Sequence, residues 1–288
     1  MNTDYARDAK LSKNHCITPR FMPIYQVFHD LPLSQGNFVT ITGIAGATVA
    51  PVPGYSIAVQ TCCQVQHRRD NRYRVDCYQG AHKIQCCGHG LLAAAHALFA
   101  LGKQARLVFG SNLWAECLPG DEGPAAVWLH LPRVASAAVP IPDWSLHLLT
   151  SAAGRRIDPE RAAATAKADG YLLLQLDARA DLPRLAVDHA VIAANTRQAV
   201  LLWQHDAAQP GQVNVRYFAP QYGNIEDAAT GSVLRVLGPY LQQVAKLDSF
   251  VVRQCSSSGG RMTARNRTAS VAISGNVQSV ASEELRAQ

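Results

Sequence analysis

"IQCCGHGLLAAAHALFALGK", residues 84–103, places two cysteines, two glycines and a histidine at the head of an almost unbroken apolar run. Leu91, Leu92, Leu98, Phe99 and Leu101 fall among alanines with His96 as the polar exception. A helix here is apolar on every side, so it has to be enclosed rather than docked on one face. A second segment, "GSVLRVLGPYLQQVAKL" (231–247), follows a similar glycine-bearing turn. There Arg235 keeps one side polar, and a bend is expected at Pro239.

Short strand-like stretches surround both segments. "MPIYQVF" (22–28), "NFVTITGI" (37–44), "RYRVDCY" (72–78), "LWAECL" (113–118) and "AVWLHL" (126–131) are β-branched, aromatic or alternating. "YLLLQL" (171–176), "AVLLWQ" (199–204), "VNVRYF" (213–218), "SFVVRQ" (249–254) and "ASVAISG" (269–275) repeat the pattern in the second half. A polar helical stretch is expected near "DPERAAATAKA" (158–168), and the Pro/Ala-rich "PRVASAAVPIPD" (132–143) reads as a linker. The expected fold is α+β: two pseudo-symmetric β-barrel-like domains, each wrapped around a central helix. The first spans 22–131, with completion by a strand from 269–280 left open, and the second spans 144–268; residues 1–21 and 281–288 are terminal extensions.

With 288 residues and 48% hydrophobic content, the chain can bury a core of that size. Its net charge of +6 is scattered, with pairs such as Arg68-Arg69 and Arg155-Arg156 but no basic stripe, which argues against a nucleic-acid partner. No apolar run reaches membrane-spanning length and the first twenty residues are charged, so a cytoplasmic protein without a membrane partner is expected. Eight cysteines in so long a chain do not make a disulfide scaffold. Cys62-Cys63 and Cys86-Cys87 are adjacent pairs rather than the spaced pairs of structural zinc sites. His82, Cys86 and His89 could gather around a metal, but the run between them lacks the second paired spacing of a structural zinc site, so neither metal nor cofactor is expected. Cys16, Cys77, Cys117 and Cys255 read as small buried hydrophobes.

The chemistry belongs at the helix mouths. Unpaired N–H groups and the positive end of the helix dipole favour a carboxylate or phosphate there. "CGHG" (87–90) and "ATGS" (229–232) let backbone come close to such a ligand. If the halves are related by pseudo-symmetry, the mouths face each other across a cleft. His96, inside the apolar helix, reads as a core histidine.

"VRYFAPQYGNIEDAATGSVLRVLGPYL" (215–241) resembles the C-terminal signature of the PhzF-like (phenazine-biosynthesis) isomerase family. "CCGHGLLAAAHALF" (86–99) resembles its first-half counterpart, and "YQVFHDLPLSQGNFVTI" (25–41) its opening strand and turn. The resemblance covers roughly residues 22 to 280. It implies the diaminopimelate-epimerase-like fold, with the active site between the halves and no metal or organic cofactor. It also implies that Gly88, His89, Asp227, Gly231 and Ser232 hold a substrate carboxylate and help move a proton.

One departure stands out. The family's general base is a glutamate in a Ser-Glu-Thr motif, whereas the corresponding "SIAVQTCCQVQ" (56–66) holds no carboxylate. Gln60, followed by Thr61, is its expected replacement, with Gln64 the alternative. A neutral amide neither accepts nor returns a proton near neutrality. Ala228 also replaces a proline of the family, and Lys83 stands where it usually has Glu. Cys87 is the substitute acid/base candidate, since a helix N-terminus lowers a thiol's pKa. Its position is similar to that of the first catalytic cysteine of diaminopimelate epimerases and proline racemases, and Thr230 stands at their second. The cysteine–threonine pair resembles that of hydroxyproline dehydratases.

The expected catalytic residues are Cys87, His89 and Asp227; Gly88, Gly90, Thr230, Gly231, Ser232 and Gln60 are expected to bind substrate. The leading reading is a cofactor-independent isomerase or epimerase acting on a small amino acid or related carboxylate, working as a homodimer. The alternatives are a Cys87-dependent lyase that dehydrates a hydroxylated amino acid, and a non-catalytic carboxylate-binding protein.

Overall fold

The computed structural model describes residues 23–44, 61–84, 86–103, 106–109, 113–118 and 126–280. Seventeen strands among them join one mixed sheet, mostly antiparallel, and two more form a short separate pair. Helix α1 (Gly88–Ala100), helix α2 (His189–Asn195) and helix α3 (Leu234–Ala245) join them, with three short 3-10 turns among the described residues.

Helix α1 is enclosed. Gly88 through Ala95, Ala97 and Leu98 are all buried, and strands Ile24–His29, Asn37–Thr42, Thr61–Arg69, Trp114–Leu118, Ala126–Pro132 and Asn276–Val280 pack around it. Its alanines let strands approach on every side, while Leu92 and Leu98 each contribute about 1.5–3 kcal/mol of apolar burial. His96 lies edge-on to Tyr25, with ring centroids 6.0 Å apart, and burial lowers its pKa. The last described strands return to the first half: Asn276–Val280 pairs antiparallel with Ile24–His29, and Ser270–Ser274 with Ala126–Pro132.

Helix α3 lies on Gly260–Asn266 and Ser270–Ser274, burying Leu234, Val236, Leu237, Tyr240 and Leu241. It runs on through Pro239. The missing proline N–H frees the carbonyl of Arg235, which Val134 N–H fills at 2.9 Å. The apolar runs at 171–176 and 199–204 are continuous because both faces of their strands are covered. Leu173, Leu201 and Trp203 join the main core with α3, whereas Leu172, Leu174, Val200 and Leu202 face a second core with Ile192 of α2.

Two stretches differ from expectation. The alanine-rich 158–168 segment is no helix: Arg161–Ala164 is a strand between Tyr171–Gln175 and Ala137–Val139. Alanine propensity favours helix only weakly, and here sheet pairing with burial of Ala162 and Ala163 outweighs it. Strand Ala137–Val139 itself falls inside the 132–143 segment. The short helix α2, begun by the Asp188 carboxylate accepting from Ala190 N and Val191 N, was not anticipated.

Candidate active site

The two glycine turns meet. A Cβ on Gly88 would stand 2.9 Å from Ser232 N and 3.0 Å from Gly231 C, so only glycine lets the first turn of α1 lie against the turn before α3. Gly231 in turn rests on Phe28, where a Cβ would come within 2.9 Å of the ring. Phe28 is fully buried with φ of 64°, a left-handed conformation unusual for a bulky side chain. It sits where the pairing of Ile24–His29 with Asn276–Val280 shifts register, which turns the ring under the second mouth.

Remote hydrogen bonds pin the second mouth. Asn37 Nδ2 donates to Ala229 O at 2.5 Å, and Ser256 Oγ to Ala228 O at 2.7 Å. Gln254, 1% exposed, accepts from Thr230 N at 2.7 Å and donates to Asp227 O at 2.6 Å. The Thr230 hydroxyl donates to Asp227 Oδ2 at 2.6 Å. Just upstream, Arg216 grips Glu226 with two bonds of 2.7 and 2.8 Å and donates to Leu185 O at 2.6 Å. These anchors left no local signal in the sequence, because Asn37, Gln254 and Ser256 are far from the turn along the chain.

The first mouth is built from sulfur and imidazole. Cys87 caps α1 without a side-chain capping bond, and its Sγ lies 3.4 Å from His89 Nε2. Thr61 Oγ1 meets the same nitrogen at 3.0 Å. His89 is 8% exposed and its pKa is pushed up to about 9. Burial alone opposes the imidazolium; the Cys87 sulfur, charge and hydrogen bond together, outweighs it, with Asp227 adding to the pull.

The expected lowering of the Cys87 pKa does not occur. A hydrogen bond from Cys63 favours the thiolate, but donation to Cys77 and complete burial outweigh it and hold Cys87 up. Cys77 accepts from Cys63 and then Cys87, and those bonds bring it down to about 5. Gly90, expected at the ligand, instead faces these sulfurs: a Cβ there would collide with Cys63, Cys77 and Cys87. Cys77 is therefore more than a small hydrophobe, and Cys117 and Cys255 are only partly buried. Cys16 and Gln60 lie outside the described residues. Lys83 is engaged with Asp76 at 2.7 Å. Among the described residues, His82, Cys86 and His89 do not converge as a metal group; Cys63, Cys77 and Cys87 do.

Seven of the expected site residues thus come together: Cys87, Gly88, His89, Asp227, Thr230, Gly231 and Ser232. Cys87, His89, Thr230 and Ser232 are all buried, which leaves the mouths shut on each other. A concavity of about 600 Å3 elsewhere is lined by Ser136, Ile141, Arg161, Tyr240 and their neighbours, and no site residue borders it.

The phenazine biosynthesis-like protein family profile matches residues 55–284. The chain belongs to this family. An uncharacterized isomerase of Pseudomonas aeruginosa is 28% identical over 226 residues, covering 76% of this chain and 80% of the relative. Among solved structures, a PhzF-family protein of Enterococcus faecalis superposes with a TM-score of 0.68 at 19% identity, over 91% of this chain and 97% of that one. A probable proline racemase from Agrobacterium radiobacter K84 gives 0.52 at 13%, over 91% of each chain. As an enzyme, this family member stands with the isomerases.

Proposed function

We propose that the chain is a cofactor-independent isomerase or epimerase that moves a proton on a small amino acid or related carboxylate held between the starts of α1 and α3. The observation that carries this reading is the contact of Gly88 with Gly231 and Ser232, which brings two helix N-termini and His89 to one place. In this reading the N–H groups of the two mouths hold the carboxylate. The Cys87–His89 pair exchanges the proton, standing in for the absent glutamate. Asp227 orients Thr230 and supports the imidazolium. Because the mouths are shut, a substrate enters only when the two halves open.

The same reading includes two barrel-like halves, 22–131 with strands from 269–280 and 144–268, and a homodimeric protein. Return of the last strands to the first half supports the division.

The test is solvent exchange. The protein is incubated in heavy water with a panel of L-amino acids, hydroxylated amino acids and small hydroxy acids, and recovered material is weighed by mass spectrometry. A thiol–imidazole pair exchanges its proton with solvent, so deuterium should enter substrate or product, and Cys87→Ser should cut the exchange at least roughly a hundredfold. Product lighter by one water would replace isomerisation with dehydration. Binding of panel members without any exchange would replace both with a carboxylate-binding role.

A further inference from the structure

We propose that Cys63, Cys77 and Cys87 form a three-thiolate site for a soft metal ion, with Cu(I) as its occupant. The three sulfurs lie within 4.8 Å of one another, and the residues are 0%, 3% and 4% exposed. Three separate elements deliver them. Cys63 and Cys77 stand directly opposite on antiparallel strands Thr61–Arg69 and Arg72–Gln79, and Cys87 caps α1. All three converge on the bare Cα of Gly90, where a side chain would collide with each sulfur. Glycine inside a helix costs about 1 kcal/mol relative to alanine. Gly90 leaves the three sulfurs free to approach one another, because a methyl group there would occupy the space they share.

The donor set selects the ion. Thiolates prefer soft metals such as Cu(I) and zinc. Zinc takes four ligands, and no nitrogen of His89 falls within the shared 4.8 Å reach of the sulfurs. Three sulfurs alone make a trigonal site, which Cu(I) accepts. With metal–sulfur bonds of about 2.3 Å, planar coordination needs sulfurs about 4 Å apart, so at most a small contraction is required. On binding, each ligating sulfur that still carries a proton gives it to solvent and no electron moves, because the ion arrives as Cu(I). The positive end of α1 and its unpaired N–H groups offset the negative charge of the thiolates. Burial keeps water and oxidants from the ion. Occupancy engages Cys87, so metal binding and proton transfer at that sulfur exclude each other.

The experiment is an anaerobic competition titration of the reduced full chain against a chromophoric Cu(I) chelator. One Cu(I) per chain should be withdrawn from the chelator. Outer-shell changes alone commonly cost 10–100-fold in metal affinity, so Cys63→Ala and Cys77→Ala should each weaken binding at least about a hundredfold. Cys117→Ala and Cys255→Ala should leave it unchanged. X-ray absorption of the loaded wild type, which needs no variant to fold, should show three sulfur neighbours at about 2.3 Å and no nitrogen. Equal affinity in all four variants, or a nitrogen-rich shell, overturns the site. Preference for Zn(II), with loss of affinity in His89→Gln, overturns the assignment to Cu(I). A Cys63–Cys77 disulfide in the isolated protein, together with no metal uptake after reduction, replaces the metal site with a redox pair.

Discussion

At the start of α1 the groups nearest the turn are thiols and an imidazole. At the start of α3 they are an amide, hydroxyls and a carboxylate. The first mouth has one short contact between its own titrating groups, Cys87 Sγ to His89 Nε2 at 3.4 Å. The second is held by bonds of 2.5 to 2.7 Å from Asn37, Gln254 and Ser256. Similar backbone turns thus carry different chemistry: one side gathers groups that can exchange protons, while the other fixes geometry. Proton transfer between halves needs both, a group that titrates and a rigid surface against which it is aimed.

The sharpest way to break this contrast is to disarm each mouth separately. His89→Ala removes the titrating group and should lower turnover of an active substrate at least roughly a hundredfold. Asp227→Asn keeps the bond from Thr230 but removes the charge facing His89, and should lower turnover by a smaller factor. Steady-state rates decide; equal small losses in both would show that the first mouth carries no special chemistry.

Gln254→Ala probes the rigid side. It orphans the buried Thr230 N–H, worth about 1–3 kcal/mol when left unsatisfied, and the half-buried Asp227 C=O, worth less. Denaturant unfolding should therefore show a loss of a few kcal/mol. Stability within about 0.5 kcal/mol of the wild type, the range of ordinary surface changes, would mean the second mouth is not held as described.

The smallest effect is in pH. His89 rises from 6.5 to about 9 on folding, so its contribution to stability is full below about 6.5 and lost as pH rises through about 9. Cys77 falls from 9.0 to about 5, so its contribution is full above 9.0 and lost as pH falls through about 5. Between about 6.5 and 9 the two slopes oppose and give a plateau. His89→Gln leaves the cysteine slope alone, so that variant should gain stability as pH rises through the same window. Thr230→Ala, at the other mouth, should keep the plateau. Unfolding curves at several pH values test both, and a flat profile for His89→Gln would mean that Cys77 supplies no opposing slope.

The sequence by itself determined the enclosed helix, the strand-rich halves and the two glycine turns, because each is written in local periodicity: apolar on all sides, alternating, or glycine where backbones touch. It also carried the family, since the motifs around His89 and Asp227 are contiguous. Only the tertiary structure decided which cysteines meet. Cys62 and Cys63 are neighbours, yet strand alternation sends them to opposite faces, and the cross-strand register sets Cys63 against Cys77. The anchors of the second mouth were hidden for the same reason: Asn37 and Ala229 are 192 residues apart along the chain. The 158–168 segment misled because alanine propensity is a local quantity, while its strand partners come from 137–139 and 171–175. Local patterns fix what each segment can be; contacts distant along the chain select among those possibilities, and the site is made of such contacts.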